Sequence, residues 1–224
     1  MDENLLPTAG ESAWLARVAH EARNPLFGIA ASCRALRGAL EDGGDASAAT
    51  AALERIETEV RRLKALLDEL LEMGRSAPAR LVGKSLGSLL TSAVEAARER
   101  HAALAPCVDL DVAPDVQEVA VDEVRVAQVF ANLLDNALLS APGVRVRVSA
   151  RRSPEGNVVE IEDDGPGFTE EARRRAFEPF FSTRPGGTGL GLVVARHTME
   201  AHGGTLQLVE APSGGGRVRL LFPA

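Results

Sequence analysis

Apolar residues recur every three to four positions along two consecutive stretches of the chain, and then the period is lost. The first stretch runs Leu15, Val18, Ala22, Pro25, Ile29 and Leu36, widened by Leu26, Cys33 and Leu40. The second runs Leu53, Ile56, Val60, Leu63, Leu67 and Leu70. This spacing predicts two amphipathic helices, with stripes broad enough for a bundle core rather than a two-stranded seam. Between them, Glu41-Asp42-Gly43-Gly44-Asp45 predicts a tight turn, because paired glycines stop a helix. A hairpin alone cannot cover both stripes. The expected solution is a four-helix bundle shared by two chains, a homodimer held through residues 15–70.

The remainder alternates short apolar runs with helical patterns. Ser76-Ala77-Pro78 followed by Leu81-Val82-Gly83 reads as a linker, dividing the chain into a helical hairpin, 1–77, and a second domain, 78–224. In that domain, helices are expected near Ser85–His101, Asp122–Ala141 and Leu190–His202. Strands are expected near Val108–Val112, Val119–Val121, Val144–Ala150, Val158–Glu162, Thr205–Val209 and Arg217–Phe222. Some strands are joined by turn-like segments (Pro154-Glu155-Gly156-Asn157, Pro212–Gly216) and others through helices. The expected fold class is α + α/β: a hairpin, then an α/β sandwich with a mixed sheet and its helices on one face.

Composition removes several function classes. With 224 residues and 45% hydrophobic content the chain can bury a core. A net charge of −7 and a pI near 5.2 argue against nucleic acid as a partner, which calls for a basic stripe. Asp2 and Glu3 rule out a secretory signal at the start. No run reaches the roughly 18 apolar residues of a membrane span, so no membrane passage is expected in this chain and its expected location is cytoplasmic. Cys33 and Cys107 lack metal-ligand spacing and are expected to be reduced, buried and thiol-sized.

Within the first stripe, His20 falls on the side opposite Leu15 and Val18, facing solvent. Glu21 can accept a hydrogen bond from one imidazole nitrogen, leaving the other neutral and nucleophilic. Pro25 frees the Glu21 carbonyl one turn back and loosens the helix, at about 3 kcal/mol. His101, His197 and His202 have no such neighbours; His202, before Gly203-Gly204, reads as a helix end.

Two glycine motifs lie near the C-terminus, Asp163-Asp164-Gly165-Pro166-Gly167 and Gly187-Thr188-Gly189-Leu190-Gly191. A P-loop reading of Gly83-Lys84-Ser85 fails because Pro78 stands where its first glycine belongs. A dinucleotide fingerprint fails at Glu170. Asp163, following an apolar strand, can accept a hydrogen bond from an exocyclic amine such as that of adenine. Gly165 and Gly167 let backbone approach a flat base. The second glycine run leads into a helix, whose N-terminal N–H groups suit phosphates. Asn132 and Asn136 share one helical face among apolar neighbours. Such a buried-side pair can hold Mg2+ through oxygen, directly or by water.

Together these segments resemble the transmitter core of a bacterial two-component sensor histidine kinase, over nearly all the chain after residue 10. His20–Leu26 is similar to the family's H-box, Asn132–Ala137 to its N-box, and Asp163–Gly167 and Gly187–Gly191 to its two glycine boxes. Phe177-Glu178-Pro179-Phe180-Phe181 is similar to its F-box. The resemblance implies a dimerisation and phosphotransfer hairpin followed by a Bergerat-type ATP-binding domain. It implies phosphorylation of His20 by Mg-ATP with Glu21 and Asn24 beside it, then transfer to an aspartate on a response regulator receiver domain. It implies ATP contacts at Phe180, Thr183, Gly187, Thr188, Gly189, Leu190 and Gly191, besides Asp163, Gly165, Gly167, Asn132 and Asn136. Many members carry a lysine where this chain has Leu139, which leaves Arg184 as the expected phosphate contact. The short segment between F-box and second glycine box resembles the nitrogen-regulator-like, short-lid branch. Asn24 resembles the family position that orients a water against a phosphorylated regulator. Only about ten residues precede the hairpin, so input is expected through a separate protein or through a longer kinase of which this chain is a part. Two other readings compete: a phosphorelay module without kinase activity, and a Bergerat-fold ATPase of the chaperone or topoisomerase kind. The intact Asn136, Asp163 and glycine boxes oppose the first, and His20-Glu21 opposes the second.

Overall fold

A computed structural model describes residues 9–41, 46–74, 79–102, 107–184 and 186–224, as two compact units, Met1–Glu72 and Met73–Ala224. The first unit is the expected hairpin of two helices, α1 (Ala9–Glu41) and α2 (Ala46–Met73). The turn at Asp42–Asp45 and the expected domain boundary at residues 77 and 78 lie outside the described residues. Helix α1 continues through Pro25, whose ring is buried while Val18 and Ile29 are half-buried and Ser32 is buried. Burial of that ring offsets part of the lost hydrogen bond. A Cβ at Gly28 would stand 3.0 Å from the Glu59 side chain, so the glycine lets the two helices approach.

Much of each apolar stripe stays uncovered within one chain. Leu26, Cys33 and Leu40 recur at intervals of seven on α1, and Leu53, Val60 and Leu67 do so on α2; all six are exposed. Intervals of seven are the spacing of helices that pack side by side over several turns.

The second unit is built on a five-stranded sheet in the order β2-β4-β5-β7-β6. Its strands are β2 (Cys107–Val112), β4 (Arg145–Ser153), β5 (Gly156–Asp163), β6 (Thr205–Glu210) and β7 (Gly216–Pro223). Only β2 and β4 pair in parallel; the other pairings are antiparallel, so the sheet is mixed as expected. A separate antiparallel pair joins β1 (Val82–Ser85) to β3 (Glu118–Val121). Helices α3 (Leu86–Arg100), α4 (Glu123–Leu138) and α6 (Gly191–Ala201) cover one sheet face. Phe130 of α4 meets Phe222 of β7 in the core, ring centres 6.2 Å apart. The opposite face carries opposed charges, with Arg217 against Glu160 and Glu162, and Arg219 against Glu160.

Local chemistry explains where these helices begin. Ser85 caps α3 by accepting from the Ser88 amide, and Asp122 caps α4 by accepting from Arg125. A short helix α5 (Glu170–Arg175), capped by Thr169, was not expected from the sequence. Its six residues are too few for an apolar period to show.

Three expectations are corrected. Val82 and Gly83 belong to strand β1 and not to a linker, because β3 supplies antiparallel partners for all four of its residues. Helix α4 ends at Leu138, three residues early, because the chain turns through Leu139 and Ser140. Cys33 and Cys107 are both exposed rather than buried. Cys33 lies on the uncovered stripe of α1, and Cys107 opens an edge strand.

Candidate functional site

On α1, His20 and Asn24 are both exposed and lie one turn apart. Glu21 is half-buried and pairs with Arg62 of α2 at 3.8 Å. Among the described residues no hydrogen bond joins Glu21 to His20. Glu21 is instead drawn to the cation that α2 brings to its side.

The second group gathers at the end of β5. Asp163 is 7% exposed. Its Oδ1 accepts from Ser140 Oγ at 3.1 Å, the Gly165 amide at 3.0 Å and the Gly216 amide at 3.4 Å. Its Oδ2 accepts from no described residue, which leaves one carboxylate oxygen for a ligand's N–H. Burial raises the Asp163 pKa above the ordinary 3.8, against the lowering pull of those three hydrogen bonds, and the neighbouring Asp164 charge adds to the rise. A desolvated carboxylate with a vacant oxygen gains from a donor that water no longer supplies.

Two loops are pressed together to make this corner. A Cβ at Gly215 would overlap the Asp163 carbonyl oxygen, and Gly167, at φ +70°, leaves its Cβ direction filled by the Gly214 carbonyl. Gly165 lies against Ser140 and Asp163. Asp164 fixes the turn from the other side, accepting from the Arg145 amide at 2.7 Å.

Helix α4 places Asn132 and Asn136 differently from the expected buried-side pair. Asn132 is half-buried; its Nδ2 donates to the Gly191 carbonyl at 3.4 Å and its Oδ1 accepts from Gln128 at 2.8 Å. Asn136 is exposed. Four residues after 132, its side chain passes the edge of the apolar stripe, which Leu133, Leu134, Ala137 and Leu138 fill. Leu139, at the position of the family lysine, is exposed.

The segment from Phe177 to Gly191 leads into α6 and meets Asn132 of α4 at Gly191. Phe180 has φ +67°, an uncommon conformation for a side chain with a Cβ, and its amide donates to the Gly189 carbonyl at 3.1 Å. A Cβ at Gly189 would come within 2.5 Å of the Phe180 carbonyl carbon, so the two backbones meet directly. Phe181 lies under the Arg175 guanidinium at 4.3 Å and Phe177 under Arg196 at 4.4 Å. Ser182 Oγ donates to the Arg184 carbonyl and accepts from its amide. Thr183 and Arg184 are exposed, and Gly187 and Thr188 half-buried. Thr188 Oγ1 accepts from the Leu190 amide at 3.4 Å, and Leu190 is fully buried at the start of α6. No side chain caps α6, so its first-turn N–H groups remain for a phosphate.

Ser140 and the Gly214–Gly216 run are functional candidates that sequence reading missed. Ser140 lies four residues beyond Asn136, just past the end of α4, and the glycine run signals only a turn in the sequence. Among the described residues, no three His, Cys, Asp or Glu side chains cluster as a metal site, and no helix is long and apolar enough to cross a membrane.

Comparisons with known proteins match both units. Residues 121–224 match the family described as histidine kinase-, DNA gyrase B-, and HSP90-like ATPase, and residues 11–78 match the His Kinase A (phospho-acceptor) domain. Sensor histidine kinase ZraS of Klebsiella oxytoca is 32% identical over 211 residues, 93% of this chain and 45% of its own length. Nitrogen regulation protein NtrY of Azorhizobium caulinodans is 31% identical over 234 residues, 98% of this chain and 30% of its own. The chain therefore spans less than half the length of these curated relatives. Among solved structures, histidine kinase ThkA in complex with response regulator protein TrrA aligns at TM-score 0.78 and 23% identity. That alignment covers 94% of this chain and 61% of that one, and it establishes the fold.

The Asp163 shift has a measurable sign. The folded chain binds this proton more tightly than the unfolded chain does. The stability it contributes is therefore fullest below pH 3.8 and falls as pH rises through the raised value. Without nucleotide, the melting temperature of the unmodified chain should fall relative to Asp163→Asn across that window. Parallel pH profiles for the two proteins would contradict the desolvated-carboxylate assignment.

Proposed function

Because the chain belongs to the two-component sensor histidine kinases and holds their transmitter core, we propose that it is an ATP-dependent protein-histidine kinase, phosphorylated on His20. It then passes the phosphoryl group to an aspartate on the receiver domain of a response regulator. The observation that carries this reading is the joint presence of an exposed helical histidine in one unit and, in the other, a buried carboxylate with a vacant oxygen together with an uncapped helix start.

The reading assigns the phosphotransfer hairpin to residues 1–77 and the ATP-binding domain to 78–224. Asp163 Oδ2 accepts from the exocyclic amine of adenine, with Gly165 and Gly167 giving the base room. The phosphates lie along the segment Gly187, Thr188, Gly189, Leu190 and Gly191, against the uncapped first-turn amides of α6. Arg184, exposed on the lid with Thr183 and Phe180 next to it, supplies the cation that Leu139 cannot. Mg2+ fits this site as an ion held mainly by phosphate oxygens and water, with Asn136 Oδ1 as its protein ligand and Asn132 beside it. When bound, it neutralises phosphate charge. The absence of a clustered acidic ligand set among the described residues agrees with that division.

In the chemical step a lone pair on His20 bonds to the γ-phosphorus, the bond from that phosphorus to the bridging oxygen breaks, and ADP leaves. The other imidazole N–H gives up its proton to Glu21, which turns from Arg62 to receive it. An aspartate oxygen of the receiver then displaces the imidazole from phosphorus. Both cysteines are free, in keeping with action in the cytoplasm, where ATP and the receiver are available.

A homodimer covers the exposed stripes of α1 and α2. Burying six apolar side chains that are now wet supplies the driving force, at roughly 25 cal/mol per Å2. Asn24, one exposed turn from His20, is read as the group that holds a water in line with a phosphorylated aspartate, since an amide donates and accepts without ionising.

Three outcomes follow from this reading. Incubation with labelled ATP should give an acid-labile, base-stable product in the unmodified chain and none in His20→Gln, with nucleotide binding retained; labelling of that variant would remove the assignment. Asn24→Ala should keep autophosphorylation and dephosphorylate a phosphorylated cognate receiver more slowly, and an equal rate shows that Asn24 has no such role. Val60 and Leu67 are each 50% exposed, and replacing both with Glu should convert a dimer to a monomer in sedimentation without unfolding the hairpin. A monomer before substitution would overturn the bundle.

A further inference from the structure

Helices α4 and α6 both serve the nucleotide site, and two contacts tie them together. At the pocket, Asn132 Nδ2 donates to the Gly191 carbonyl, the first residue of α6. Ten residues back along the chain, about 15 Å at 1.5 Å per residue, the Asp122 amide donates to His202 Nε2 at 2.9 Å. The two helices therefore run antiparallel, with one tie at the ligand end and one at the far end.

The far tie is a buried polar one. His202 is buried where α6 ends, and its Nδ1 lies 2.7 Å from the Thr198 carbonyl. An amide can only donate and a carbonyl can only accept, so the partners fix the tautomer: the proton is on Nδ1 and the Nε2 lone pair faces Asp122. Asp122 in turn accepts on Oδ1 from the Arg125 amide, which starts α4, and on Oδ2 from the Arg80 amide at 3.3 Å. Arg80 lies two residues after Pro78 and two before β1. One short chain of hydrogen bonds thus joins the end of α6, the start of α4 and the stretch that leads into β1.

We propose that His202 is a positioning residue for nucleotide binding. Through the Asp122 amide it sets the spacing of α4 and α6, and it couples the nucleotide site to the chain at Arg80. The inference rests on the reading of the pocket as an ATP site. A ligand that spans the α6 start and the α4 asparagines favours one spacing of the two helices. Whatever fixes their far ends contributes to that preference, and by linkage the ligand tightens the far end in return.

The two ring nitrogens can be tested separately in the full chain. In His202→Gln the side-chain oxygen reaches the Nε2 position and can accept from Asp122, while the Thr198 bond is lost. In His202→Asn the amide nitrogen takes the Nδ1 position and keeps the Thr198 bond, but nothing reaches Asp122. Calorimetry with AMP-PNP and Mg2+ should show affinity weakened about tenfold in His202→Asn and restored to within about twofold in His202→Gln. Equal affinities in the two variants, or the reverse order, would overturn the proposal. Amide hydrogen exchange on the unmodified chain supplies a measurement that does not depend on either variant folding. The Arg80 and Asp122 amides should exchange more slowly once AMP-PNP is bound, and unchanged exchange at both overturns the coupling. Failure of the unmodified chain to bind AMP-PNP at all would instead refute the nucleotide reading.

Discussion

A carboxylate drawn out of water at the end of β5 is the constraint around which the second unit is arranged. Asp163 would be costly to bury alone, and three donors converge on one of its oxygens to make burial tolerable. Each donor comes from a different part of the chain: the turn that follows α4, the turn that Asp163 itself opens, and the first residue of β7. Satisfying one oxygen thus draws three segments together and leaves the other oxygen as a directional acceptor. Burial raises the pKa of the group against the lowering pull of those three donors.

The same corner explains the glycines. Gly167 and Gly215 are required where backbone lies on backbone, with no room for a methyl group. Gly189 plays that part against Phe180, whose positive φ is an uncommon conformation held by the Gly189 contact. The glycine segments are close-packed connections between elements, and the amides they present are fixed by that packing. Fixed donors bind an anion without the entropy of ordering a loop.

The hairpin rests on a different balance. Its inner faces hold α1 against α2, with Pro25 and Leu66 buried between them. Its outer stripes, spaced by seven, remain wet in one chain. The exposure of Cys33 belongs to this uncovered stripe, which is why a residue expected to be buried is found on the surface. Cys107 differs, since it opens an edge strand with a neighbour on one side only.

The chain order of local patterns settled much in advance. Periods of three to four residues marked α1 and α2, short apolar runs marked six of the seven strands of the second unit to within a few residues, and the mixed sheet followed from the alternation of turns and helices. Histidine, asparagines, aspartate and glycines could be picked out because each chemistry needs particular atoms at particular spacings. What the sequence could not show depends on contacts between distant residues. Strand β1 exists because β3 offers it partners; Ser140 and Gly216 matter because they reach Asp163; Glu21 turns to Arg62 because α2 brings a cation there. Asn136 is exposed and Asn132 tied to Gly191 because of how α4 is rotated against the sheet. His202 is more than a helix end because Asp122, 80 residues earlier in the chain, places an amide at its ring. Local spacing fixes which elements form, but hydrogen bonds and close approaches between residues far apart in sequence are decided only when the elements pack.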